Sequence, residues 1–105
     1  MLIQVNTDGN IDGDHTLVQR MEAVVRSALD RFSGRITRVS IHLSDANSAK
    51  KSGTEDKRCL LEVRLAGLQP ISVSHRAALL DQAVDGAVEK LIRTLDSTLG
   101  RREGR

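Results

Sequence analysis

The sequence predicts an α+β two-layer sandwich of order β-α-β-β-β-α, a four-stranded sheet with two helices packed on one face. Four segments alternate apolar and polar residues as half-buried strands do, and two longer ones repeat apolar residues at helical spacing. Every strand also keeps one largely polar face, so a single side of the sheet needs covering, and the two amphipathic helices are there to cover it. At 105 residues the chain fits one domain, 1–105, with a core that needs neither disulfide nor metal.

Leu2 to Asn6 alternates with Ile3 and Val5 on one side and stops at the turn-rich Thr7-Asp8-Gly9-Asn10, so it reads as the first strand. Thr16, followed three residues later by Gln19, offers a capping box for the next helix, with Asp14 a rival cap. That helix is expected to run to about Phe32, with Leu17, Met21, Val24, Val25, Ala28 and Phe32 as its apolar face and Ser33-Gly34 as its stop. Thr37 to Ser44 is the clearest strand, with Val39, Ile41 and Leu43 inward. Cys59, Leu61, Val63 and Leu65 alternate in a third strand, and Ile71 and Val73 in a fourth after the turn Gly67-Leu68-Gln69-Pro70. Residues 45–57 are polar throughout and longer than most hairpin connections, which predicts a mobile loop whose Lys50, Lys51 and Lys57 are offset by Asp45, Glu55 and Asp56.

The second helix carries the functional signal. At about 100° per residue, Leu80, Ala83, Val84, Ala87, Leu91 and Leu95 form one apolar stripe. Asp81, Asp85, Glu89 and Asp96 fall along one flank, and Lys90, Arg93 and Arg101 along the opposite one. A basic ridge broken only by Gly86 and Ser97 would let a phosphate backbone come close, which makes nucleic acid the first partner to test. The plainer reading is a solvated helix held by local pairs such as Glu89 with Arg93.

Composition narrows the classes. Net charge is only +2, so distribution matters more than the sum: Asp8, Asp12 and Asp14 crowd the first loop, while the tail 101–105 is basic. Phe32 is the sole aromatic residue, which excludes base stacking as the main grip on a nucleic acid. Lone Cys59 sits in an alternating segment, reads as a buried thiol and fits a reducing cytoplasm. No apolar run approaches the roughly 20 residues of a membrane span, and the start lacks the regions of a signal peptide, so a cytoplasmic protein with no membrane partner is expected. His15, His42 and His75 fall in a loop, on a polar strand face and near a helix start, and share no zinc-ligand spacing with Cys59. Gly9 and Gly13 lie among acids that would repel a phosphate, and no G-x-S-x-G motif is present. The expectation is therefore no metal, no cofactor, no small-molecule substrate and no catalytic residue.

With that order of elements, the segment Arg31-Phe32-Ser33-Gly34-Arg35-Ile36-Thr37-Arg38-Val39 and the run Ala83-Val84-Asp85 through Glu89-Lys90-Leu91-Ile92-Arg93-Thr94-Leu95 resemble the ribosome hibernation-promoting factor and ribosome-associated translation inhibitor family. The resemblance covers essentially the whole chain. It implies a domain built like a double-stranded-RNA-binding domain, seated in the mRNA and tRNA path of the small ribosomal subunit. Basic residues of both helices would contact ribosomal RNA there and block translation during stress or stationary phase.

Carried over by position, Lys90 and Arg93 match the family's basic positions on the second helix. Arg26, Arg31 and Arg35 stand where the family is basic at the end of the first helix and in the following turn; the wheel favours Arg31 and Arg20, on one flank with Ser27, over Arg26. The expected RNA-binding set is thus Arg20, Arg31, Arg35, Lys90, Arg93 and Arg101, on a protein expected to be a monomer off the ribosome. Departures thin this set: Asp96 and Ser97 follow Arg93 where the family continues basic, and Ala23 and Ser27 fall where it is often lysine-rich. Each lost phosphate contact weakens binding and flattens its salt dependence. The alternative is a protein-interaction or regulatory module that kept the fold but lost RNA binding, suggested by the acidic flank. A plain double-stranded-RNA-binding domain is disfavoured, because His75-Arg76-Ala77-Ala78-Leu79 stands where such domains place a lysine cluster. The short stretch after the second helix resembles the short form of the family, without the dimerisation domain of its long members.

Overall fold

Strands β1 (Leu2–Thr7), β2 (Ile36–Asp45), β3 (Lys57–Leu65) and β4 (Ile71–Ala77) lie in spatial order β1-β2-β3-β4, with helices α1 (His15–Ala28) and α2 (Leu80–Arg102). This computed structural model describes residues 1–8, 11, 14–45 and 56–102, with 101 and 102 as backbone alone. Most of the 45–57 loop and of the 101–105 tail lies outside those residues. β1 runs parallel to β2, joined through α1, while β2-β3 and β3-β4 are antiparallel neighbours, so the sheet is mixed. The predicted class and element order hold.

Asp14, not Thr16, caps α1: its carboxylate accepts from the Leu17 N–H at 2.8 Å. The helix also ends earlier than its periodicity suggests, at Ala28, and continues as a 3-10 turn over Asp30–Phe32. The reason is packing. At three residues per turn Leu29 and Phe32 fall on one face, both are buried, and the Phe32 N–H reaches the Leu29 carbonyl at 2.9 Å.

A register irregularity between Ile36 and Arg38 lets Ile36 and Val39 both point inward, extending β2 at its start. β4 continues past Val73 to Ala77, which places His75 on a strand rather than near a helix start. Its sequence obscures this, because a polar histidine occupies an inward position in register with buried Cys59. Gly67 turns the chain between β3 and β4 at φ 75°, a conformation open to glycine at little cost.

The core is a single layer between sheet and helices. Val39, Ile41, Leu61 and Val63 form its floor, Met21 and Val25 its roof on one side, and Ala83, Val84, Ala87, Leu91 and Leu95 its roof on the other. Cys59 is fully buried in it, and burial pushes its thiol up to about 12, so it stays protonated and unreactive. Above β4, α2 passes so close that a Cβ on Gly86 would meet the His75 imidazole.

Gly86→Ala should therefore lower the thermal midpoint by several degrees. Displacing the ring costs about 1–3 kcal/mol, more than the gain of about 1 kcal/mol in helix propensity. In a His75→Ala background the same change should stabilise the protein. Thermal unfolding of the four proteins by circular dichroism checks this, and equal effects in both backgrounds would contradict the close approach.

Candidate functional site

The basic residues of α1 and α2 form two tracks rather than one patch, and an acidic stripe separates them. The first track lies along the seam between the helices. Arg20, on α1, is 3.1 Å from Asp81, at the start of α2. Arg31, in the 3-10 turn, meets Asp96 in a fork, Nη1 to Oδ1 and Nη2 to Oδ2 both at 3.1 Å. Its guanidinium also lies over the Phe32 ring, 4.2 Å from the centroid. Because the early residue of each helix pairs with the early residue of the other, and the late with the late, the two helices run side by side in the same sense.

The second track faces β4. Lys90, Arg93, Thr94, Ser97 and Thr98 of α2 form one wall of an open groove, and Val73 and Ser74 of β4 the other. Lys90 Nζ donates to the Ser74 carbonyl at 2.8 Å, which anchors the lysine at the sheet edge. Arg93 is exposed and has no ion-pair partner among the described residues, Glu89 included. Two cations along one wall are the donor types that bind phosphate oxygens, while the Thr94 hydroxyl donates to the Lys90 carbonyl at 2.9 Å.

The remaining expected residues are placed as follows. Arg35 is exposed in the turn before β2. Arg101 belongs to α2, but its side chain lies outside the described residues. Arg26 points away from both tracks, pairing with Glu22 at 3.0 Å and reaching the Met1 carbonyl. Lys57 is held by Asp45 at 3.2 Å at the base of the loop it was read with.

Asp81 and Asp96, half of the acidic flank, are thus partners of Arg20 and Arg31. Helix wheels missed this because they give the faces of each helix but not which faces meet. They also passed over Thr94 and Thr98, although spacings of four and eight from Lys90 put both on its side of the helix.

Among the described residues no cluster of histidine, cysteine and carboxylates could hold a metal ion, and no helix is long and apolar enough to cross a membrane.

A family profile described as sigma 54 modulation protein / S30EA ribosomal protein matches residues 4–103. Among solved structures, a ribosomal subunit interface protein from Coxiella burnetii superposes with a TM-score of 0.71 at 21% identity, covering 95% of this chain and 99% of that one. The N-terminal domain of Thermus thermophilus Protein Y gives 0.72 at 21% identity, covering 93% and 99%. No curated protein sequence matches significantly.

Both interhelical pairs are more than half exposed, so each should contribute less than about 1 kcal/mol. Double-mutant cycles for Arg20→Ala with Asp81→Ala and for Arg31→Ala with Asp96→Ala should give couplings in that range, larger for the forked pair and shrinking as salt rises. Chemical unfolding at two salt concentrations measures them.

Proposed function

The chain belongs to the sigma 54 modulation protein / S30EA ribosomal protein family, the family of ribosome hibernation and subunit-interface factors that its sequence resembles, and from this premise we propose that it is a non-enzymatic cytoplasmic factor binding small-subunit ribosomal RNA. In this reading it occupies the mRNA and tRNA path and blocks translation during stress or stationary phase. The groove along α2 carries the RNA-binding part of the proposal. There Lys90 and Arg93 stand beside Thr98, with Arg93 unpaired among the described residues, and the two cations present donors to a phosphate backbone.

The α1 track contributes less at rest. An RNA phosphate reaching Arg20 or Arg31 must compete with an aspartate already in place, and at Arg31 with a two-bond fork. Asp96 therefore subtracts twice from the basic surface: it puts an acid where relatives continue basic, and it occupies Arg31. Specificity would come from the shape of the ribosomal site, since phosphate contacts position a protein without reading bases. The pairs made by Asp81 and Asp96 also account for half of the acidic flank that favoured a protein-interaction module.

Sucrose-gradient sedimentation with purified small subunits at several salt concentrations tests the assignment. The wild-type protein should co-migrate in a salt-sensitive manner, and Lys90→Glu with Arg93→Glu should abolish co-migration at moderate salt. Unchanged co-migration of that variant rejects the groove as the site; no co-migration of the wild type even at low salt rejects the ribosomal role. Asp96→Asn should strengthen binding by several-fold at fixed salt, because it releases Arg31 and removes a repulsive charge.

A further inference from the structure

The face of the sheet turned away from the helices has an electrostatic character of its own. Alternation puts Arg38 of β2, Arg58 and Arg64 of β3 and Arg76 of β4 on it, and register sets them in pairs, Arg38 directly opposite Arg64 and Arg58 directly opposite Arg76. Like charges directly opposite each other destabilise a sheet, and this sheet carries the arrangement twice. Along β3 the two pairs stand about 20 Å apart, at the usual rise per residue.

Compensation is sparse. Glu62 is the one carboxylate at an outward position within the four strands, and it is engaged by His42 at 3.0 Å. Arg38 is bonded to the neutral Gln4 at 2.8 Å. Arg58, Arg64 and Arg76 have no ion-pair partner among the described residues. Four arginines against one glutamate is a marked excess in a chain whose net charge is +2.

We propose that this outer sheet face is a second phosphate-binding surface, on which the two arginine pairs grip an RNA backbone, so that the domain is held from both of its faces. The chemistry favours RNA over an acidic polypeptide. Guanidinium groups bind phosphate in a fork, and between the pairs Ser40 and Ser72, on either side of the His42-bound Glu62, and Ser74 are of the types that hydrogen-bond phosphate and sugar. Protein interfaces instead depend on aromatic or large apolar anchors, and the centre of this face offers only half-buried Leu60. The inference rests on the ribosome-associated reading only for the source of the RNA. It differs from that reading in placing contacts on the side opposite α1 and α2, and a grip on two faces raises affinity through effective concentration.

The test uses two probes, a short RNA duplex and purified small subunits, with the full-length protein and the variants Arg38→Ser/Arg64→Ser and Arg58→Ser/Arg76→Ser. Both variants remove like-charge repulsion and should melt no lower than wild type. For each, the slope of log affinity against log salt should fall by about 1.5, with about tenfold weaker binding at moderate salt. A Ser72→Cys variant, labelled with an iron chelate at that exposed position while buried Cys59 stays unlabelled, should cleave the bound RNA.

Unchanged slopes for both variants, or no cleavage from position 72 in a complex that forms, overturn the proposal. So does failure of the wild type to bind either RNA at low salt. Face-dependent binding of polyglutamate, with RNA binding indifferent to the variants, overturns it in favour of an acidic polypeptide. If the wild type binds the duplex through this face but ignores small subunits, the sheet-face inference stands and the ribosomal assignment fails.

Discussion

What α2 displays to its surroundings depends on how closely it lies on β4, and that approach is set where the His75 ring fills the space that a side chain on Gly86 would need. A larger residue there would lift or roll the helix. The roll matters because α2 sorts its charges by flank. In the observed setting Asp81 and Asp96 reach the arginines of the first helical segment, while Lys90 and Arg93 line the groove against β4. A rotation of a few tens of degrees would pull the aspartates off those arginines and shift Lys90 and Arg93 relative to β4. A glycine that looks like a gap in a basic ridge thus sets the presentation of the ridge itself.

Strand alternation in β2 and β3 and the apolar stripe of α2 made the architecture legible in the sequence, because a one-sided sheet imposes a strict pattern on its inward positions. Where reading failed, local pattern and tertiary packing disagreed. α1 ended early because Leu29 and Phe32 could be buried together only by tightening the turn. β4 ran longer than its apolar residues indicated because His75 found room beneath Gly86. Asp14 prevailed over the Thr16 capping box as the helix cap.

The candidate site was legible in residue type but not in arrangement. Lys90 and Arg93 could be placed on one flank from their spacing alone. That Arg20 and Arg31 face aspartates could not, since it depends on the packing of two helices whose partners lie 61 and 65 positions apart. The same limit hid the arginine pairs of the outer sheet face: each arginine looked like an ordinary polar position within its own strand, and only register brought them together.

The parallel pairing of β1 with β2 separates the first strand from the other three. β2, β3 and β4 form a meander of neighbours, whereas β1 is synthesised first and pairs only after α1 and all of β2 have followed it. Contacts of such sequence separation form late and are lost early. β1 also lies at the sheet edge with Leu2 exposed. The first strand to be made therefore waits for the second before it can pair, and amide exchange should be faster in it than in the meander.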